Sequence, residues 1–253
     1  DTGSHPDLSL ALMGRSAALL GDYLAELALA LYRQKGMFEL QQIGVRAEQR
    51  MLAELGSNCH RGGIFLTGLL LSAYAESGTA EPEPLSNSVA VLAQRYFQQA
   101  RVGSSHGQQV REKYRTGGII AECLNGLPGL FQIALPSLMA NYDDFATGCY
   151  LAMARLMQTC DDTTSLHRCG QTGLARLRKA GSSLEKALLT GDDPLPLLRR
   201  LNADFCAANL TMGGVADLLG LSFGYLNFSI AKHGYAGFSA TRSLSVGAVR
   251  PAR

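Results

Sequence analysis

Apolar residues recur along this chain at spacings of three and four, the repeat of a helix with one face turned inward. Residues 8–33 are rich in Leu and Ala and hold no proline, which predicts a long first helix. Ile43, Ala47, Met51 and Leu55 fall four apart, with Arg46, Gln49 and Arg50 on the other faces. The stretch 64–74 is strongly apolar and reads as a buried helix, and 89–100 as an amphipathic one. Leu127-Pro128 opens a segment through 139, with Pro136 as an expected kink or break. Helices over 145–157, 174–189 and 214–230 complete the pattern. Asp192-Asp193-Pro194 reads as an N-cap followed by proline at the first helical position. Residues 77–87, with Gly78, Pro82 and Pro84, and residues 103–107 read as loops. Strand alternation is scarce. The expected fold is therefore all-α: one compact multi-helix domain over residues 1–232 with a polar ligand cleft between helices, and a loosely ordered tail over 233–253.

Composition narrows the class. The chain has 253 residues, 47% of them hydrophobic, which is enough to bury a sizeable core. Its 23 basic and 21 acidic residues leave a net charge of +2, too balanced to argue for nucleic acid or an anionic membrane as main partner. The six cysteines form no C-x-x-C pair and no zinc-ligand spacing, so they read as free thiols in a reducing compartment. The longest apolar stretch, 218–231, is too short and too polar to span a bilayer. A soluble, cytoplasmic protein is expected.

Four polar islands interrupt the apolar helices. The first runs from Gly56 to Gly63 and holds Asn58, His60 and Arg61; an arginine beside helix N-terminal amides suits a phosphate. A capped turn, with Ser57 or Asn58 as N-cap and His60 solvated, accounts for the same residues. The second holds Asp161, Asp162, His167 and Arg168. Paired carboxylates at a helix C-terminus oppose its dipole and invite a divalent cation, although Asp162 also suits an N-cap of the next helix. The third, Asn209 to Asp217, contains Gly213-Gly214 opening a helix, where Thr211 is an alternative cap. The fourth places Glu122 among apolar residues, where a carboxylate needs a partner, a metal or a raised pKa. Glu48, beside the Ile43–Leu55 stripe, raises the same question.

In order and combination these islands resemble the triphosphoribosyl-dephospho-CoA synthase family, which serves citrate lyase and malonate decarboxylase. Asn58-Cys59-His60-Arg61-Gly62-Gly63-Ile64-Phe65 is similar to its Asn-Thr-His-(Lys/Arg)-Gly-Ala-Ile-Phe run. Gly118 to Cys123, then Leu127-Pro128 and Leu135-Pro136, resembles its Gly-Ala-Arg-Gly-Glu-Ala…Leu-Pro stretch. Asp162 to Gly170 resembles Asp-Thr-Asn-x-x-x-Arg-Gly-Gly, and Asn209 to Leu219 resembles Asn-Leu-Ser-Pro-Gly-Gly-Ser-Ala-Asp-Leu-Leu. Gly3 to Asp7, with His5 and Asp7, looks like Ser-Gly-Ala-His-x-Asp-Met, although Gly-Ser-His is also a common expression-tag remnant. The chain departs from the family at Ile120 (Arg), Met212 (Pro), Cys59 (Thr) and Cys169 (Gly).

The resemblance implies that ATP and 3′-dephospho-CoA give 2′-(5″-triphosphoribosyl)-3′-dephospho-CoA and adenine. A ribosyl centre that becomes oxocarbenium-like needs nearby anions, the attacking 2′-hydroxyl needs a base, and the triphosphate needs Mg²⁺ or Mn²⁺ and cationic donors. The expectation assigns Asp161 and Asp162 to the metal, with Glu122 as a further ligand or as base. His60, Arg61 and Arg168 would bind phosphates, with Asn58, His5 and Asp7 also in the nucleotide site. His167 or Glu48 would move a proton, Gly213-Gly214 would offer backbone donors, and Asp217 would hold a ribose hydroxyl or orient an arginine. Other readings are a non-catalytic nucleotide- or CoA-binding paralogue and an enzyme that cleaves the same bond with another acceptor. A homodimer stays open.

Overall fold

A computed structural model describes residues 3–5, 8–99 and 106–240. Every regular element among them is helical. Helix α1 (Leu10–Tyr32) is capped by Ser9, whose hydroxyl accepts the Leu12 N–H at 3.1 Å. It pairs with α2 (Met37–Leu55), which ends at Gly56 in the left-handed region with φ 71°. Ile43, Met51 and Leu55 are buried, with Ala47 packed beside them, so the four-residue stripe faces inward as expected. Together with Tyr23, Leu27 and Ile64 they form the smaller of two apolar clusters.

Helix α3 (Arg61–Ser77) joins this hairpin to the main core, and α4 (Pro82–Gln99) packs along it. The loop expected over 77–87 is shorter than its prolines suggested. Pro82 and Pro84 lie in the first turn of α4, where a backbone N–H has no intrahelical partner to lose. Short helices α5 (His106–Tyr114) and α6 (Gly118–Leu124) follow. At Gly129–Ala134 the chain forms a π-helical segment and continues into α7 (Leu135–Ala140). The helical run is continuous through Pro136, so of the expected kink or break there is no break, and the π-helical turn lies directly before the proline.

Helix α8 (Phe145–Thr159) packs closely against α9 (Thr163–Thr190), which bends at Gly170 with φ 64° and ψ −162°. Asp193 caps α10 (Pro194–Ala207) by accepting the Leu195 N–H at 3.0 Å, with Pro194 in the first turn as expected. Helix α11 (Gly213–Ala240) touches α3, α8, α9 and the π-helical segment. Its buried Val215, Leu218, Leu221 and Tyr225 join Leu66, Leu92, Leu130, Phe131, Leu156 and Leu177 in the larger core.

Two boundaries differ from expectation. The stretch 218–231 is part of a longer unbroken helix. Gly213–Lys232 has mean hydropathy 1.2 and is the one helix among the described residues long and apolar enough to cross a membrane. Residues 233–240, expected in the tail, continue α11.

Candidate functional site

First-turn residues of α3, α9 and α11 line one pocket of about 540 Å³. Its walls include Glu48 from α2, Arg61 and Gly62 from α3, Glu122 from α6, Asp161 before α9, and Gly214 and Asp217 from α11. All four polar islands thus contribute to a single cavity. On one side lie three packed aromatic rings, with Phe65 to Tyr96 at 5.4 Å, Phe65 to Phe97 at 5.9 Å and Tyr96 to Phe97 at 5.2 Å between centroids.

Asp162 stands behind the wall and is completely buried. Its Oδ1 accepts the Ser165 N–H at 2.7 Å and its Oδ2 the Val215 N–H at 3.0 Å, so one carboxylate caps both α9 and α11. This explains why Thr211 is not the cap of α11; its carbonyl instead accepts the Ser165 hydroxyl at 2.7 Å. Burial raises the Asp162 pKa, and the amides of Ser165, Val215 and Gly214 oppose the rise.

Asp217 is half-buried in the wall. A β-carbon on Gly62 would lie 2.0 Å from its Oδ2, so the glycine makes room for the carboxylate. Burial and the nearby Asp162 charge push Asp217 up to about 7, while the Gly63 amide pulls it down. Glu122 Oε1 accepts the Gly129 N–H at 2.6 Å, at the first residue of the π-helical segment. Burial raises its pKa as well. Glu48 Oε2 lies 3.4 Å from Arg61 Nε and accepts the Asn58 amide at 3.0 Å. Cys160 lines the pocket, its thiol pushed well up by burial and then by the charges of Asp162, Glu122, Asp161 and Asp217.

The remaining sequence candidates lie elsewhere. His60 is the N-cap residue of α3, and its Nε2 is 2.9 Å from the Ser16 hydroxyl, with burial lowering its pKa. Neither Ser57 nor Asn58 caps that helix. His167 is exposed on α9. Arg168 donates to Asn209 Oδ1 at 2.9 Å and lies 3.4 Å from His5 Nδ1, forming a cluster apart from the pocket walls. Gly213 packs against Thr164 behind Gly214, and Asp7 lies outside the described residues.

Sequence reasoning passed over Arg111, Tyr96 and Phe97, and it gave Thr163 and Thr164 no role. Arg111 reaches the pocket from α5 and makes no ion pair with a described residue. It packs where Gly118, at φ 52°, would carry a side chain, with Arg111 Cδ 3.5 Å from that position. No motif marks it; the Gly117-Gly118 pair was the available signal.

The donor set fits a divalent cation in a limited way. Among the described residues no three His, Cys, Asp or Glu side chains group as a protein-only metal shell. Asp161 is engaged by the Thr116 hydroxyl at 2.7 Å and Arg178 at 2.9 Å, and both Asp162 oxygens hold helix amides. That leaves Glu122 with an oxygen uncommitted to the backbone. Mg²⁺ commonly takes only one or two carboxylates and completes its shell with water and substrate phosphates. Glu122 together with a polyphosphate meets that pattern.

The fold is all-helical, and arginines, helix N-termini and carboxylates of raised pKa around one pocket are the features that suit a phosphate-rich ligand and acid–base chemistry. Residues 1–229 match the model of the ATP:dephospho-CoA triphosphoribosyl transferase family, and the chain belongs to that family. A probable 2-(5″-triphosphoribosyl)-3′-dephosphocoenzyme-A synthase of Pseudomonas paraeruginosa is 32% identical, covering 93% of this chain and 84% of its own length. The 2-(5″-triphosphoribosyl)-3′-dephosphocoenzyme-A synthase of Klebsiella pneumoniae is also 32% identical, over 86% of this chain and 81% of its own. A probable synthase of the same name from Pseudomonas fluorescens reaches 35% over 87% of this chain and 79% of its own length. No solved structure matches the chain.

Proposed function

We propose that this chain transfers the 5-triphosphoribosyl group of ATP to the 2′-hydroxyl of 3′-dephospho-CoA and releases adenine. The product would be the prosthetic-group precursor for the acyl carrier protein of malonate decarboxylase or citrate lyase. Family membership supports the reaction class. The observation that carries the reading to this site is the meeting of Arg61, Glu122, Gly214 and Asp217, from separate islands, in one pocket.

The bond that breaks joins ribose C1′ of ATP to adenine N9; the bond that forms joins that carbon to the acceptor 2′-oxygen. Asp217 takes the 2′-hydroxyl proton, because a base whose pKa lies near 7 is half ionised at neutral pH and still accepts a proton readily. The adenine nitrogen keeps the electron pair of the broken bond and takes up the proton that Asp217 has removed from the 2′-hydroxyl, which balances the transfer. The carboxylates around Cys160 supply the negative field that favours positive charge at the ribosyl carbon. Arg61 and Arg111 hold the phosphates, assisted by the Thr163 and Thr164 hydroxyls. Glu122 would hold Mg²⁺, which neutralises triphosphate charge when bound. Arg111 supplies from another helix a guanidinium that Ile120 does not.

Incubation with ATP and Mg²⁺, with and without dephospho-CoA, tests the reading by chromatography of free adenine. Adenine formed only with the acceptor is the expected result. Adenine formed without it would make the chain a hydrolase. ATP binding with no adenine would make it a regulatory binder.

A further inference from the structure

A second furrow of about 190 Å³ opens between α1, α2, α3 and α4 and meets the main pocket at Glu48, Phe65 and Tyr96. Its walls are Leu, Met, Val and Tyr side chains with Gln41, Gln42 and Ser72 among them, and no Lys or Arg lines it. Polyphosphate has no cation to meet there, and Glu48 at the junction repels it. A long, uncharged chain carrying amide groups suits such walls, because methylenes bury against the apolar side chains while glutamine amides and a serine hydroxyl satisfy the polar groups.

Gly44 lines the same furrow. It sits inside α2, where glycine costs about 1 kcal/mol against alanine. Neither backbone geometry nor crowding requires it: a β-carbon there would touch only Ile64 Cγ2, at 3.7 Å. The open side of Gly44 forms part of the furrow wall. The missing side chain leaves that part of the furrow open.

Resting on the transferase reading, we propose that this furrow holds the pantetheine arm of the dephospho-CoA acceptor, leaving the acceptor ribose in the main pocket. ADP is the same acceptor without that arm, so the arm's share of binding is measurable as the preference for dephospho-CoA over ADP.

The test is calorimetric binding of dephospho-CoA, ADP and ATP to the full chain and to Gly44→Leu, which fills the furrow. Gly44→Ala controls for helix effects. Val45→Trp, at the exposed rim, serves as a second block that does not depend on a buried change. The expected result is a loss of about tenfold or more in dephospho-CoA affinity in either blocking variant, with ADP and ATP unchanged. Unchanged dephospho-CoA affinity in the folded blocking variants overturns the proposal. A selective loss of ATP affinity also overturns it and assigns the furrow to the purine of ATP. Binding needs no turnover, so these outcomes stay separate from the adenine assay, in which failure by the wild-type chain counts against the reaction itself.

Discussion

Asp162 accepts the backbone N–H of Val215 at 3.0 Å across 53 positions of sequence, while its other oxygen serves Ser165 in its own helix. One carboxylate therefore fixes the angle at which α9 and α11 bring Thr163, Gly214 and Asp217 into the pocket. Replacing it by alanine removes two caps and leaves buried amides without acceptors. Asp162→Ala is expected to lose about 2–4 kcal/mol of stability by chemical denaturation, along with activity. Asp162→Asn, which keeps one acceptor oxygen, should lose less. Retention of wild-type stability by the alanine variant would favour the metal-ligand reading of Asp162 over the cap.

The Asp217 shift has a definite sign. Its unfolded pKa is about 3.9, and its folded value is about 7. The folded state holds the proton more tightly, so this group favours folding most below the lower value and progressively less as pH rises through the higher one. Asp217→Asn removes the ionisation. It should gain about 2 kcal/mol over the wild type on going from the acid to the alkaline side of this window, allowing for partial exposure. The wild-type rate should rise with pH through about 7 as the base ionises. Denaturation midpoints and kcat/KM across pH check both; a stability difference that does not vary with pH would remove the buried-carboxylate account.

Helical periodicity disclosed most of the fold because the buried stripe of each helix is also its sequence signal: Ile43, Met51 and Leu55 lie inward as spaced. The polar islands were legible for a similar reason, since Arg61, Glu122 and Asp217 break apolar runs. The prolines misled because Pro82 and Pro84 mark a helix start as readily as a loop. His167 and Arg168 follow Asp162 in sequence, but proximity along the chain does not fix direction, and they lie apart from the pocket walls. The double cap at Asp162 joins segments that only tertiary packing brings together.

Arg111 belongs to that last group, since α5 has little apolar pattern to draw the eye. It makes no ion pair with a described residue, and only the neighbouring Glu112 favours its charge, so its removal breaks no buried ion pair. Arg111→Ala is expected to lower kcat/KM for ATP about 10- to 100-fold, the worth of one charged hydrogen bond to phosphate, mostly through KM. Its melting temperature should stay near that of the wild type. Arg111→Lys, which keeps the charge without the planar fork, should recover part of the loss. Unaltered ATP kinetics in the alanine variant would place the triphosphate elsewhere.

Gly62 tests the position of the base without touching its chemistry. Alanine suits a helix better than glycine by about 1 kcal/mol in an interior position. At residue 62, however, its methyl would stand 2.0 Å from Asp217 Oδ2. The short Asp217 side chain is the movable partner, so the carboxylate must swing off its present seat and away from the Gly63 amide. Gly62→Ala should therefore fold with little change in melting temperature yet lose at least about tenfold in kcat, because a displaced base no longer reaches the 2′-hydroxyl. Gly214→Ala is the contrast: its methyl would approach Asp162 Oδ2 at 3.2 Å and not Asp217, so its effect should fall on stability rather than on kcat. Single-turnover adenine release separates the two variants, and full activity in Gly62→Ala would mean that Asp217 does not act from the place where it is found.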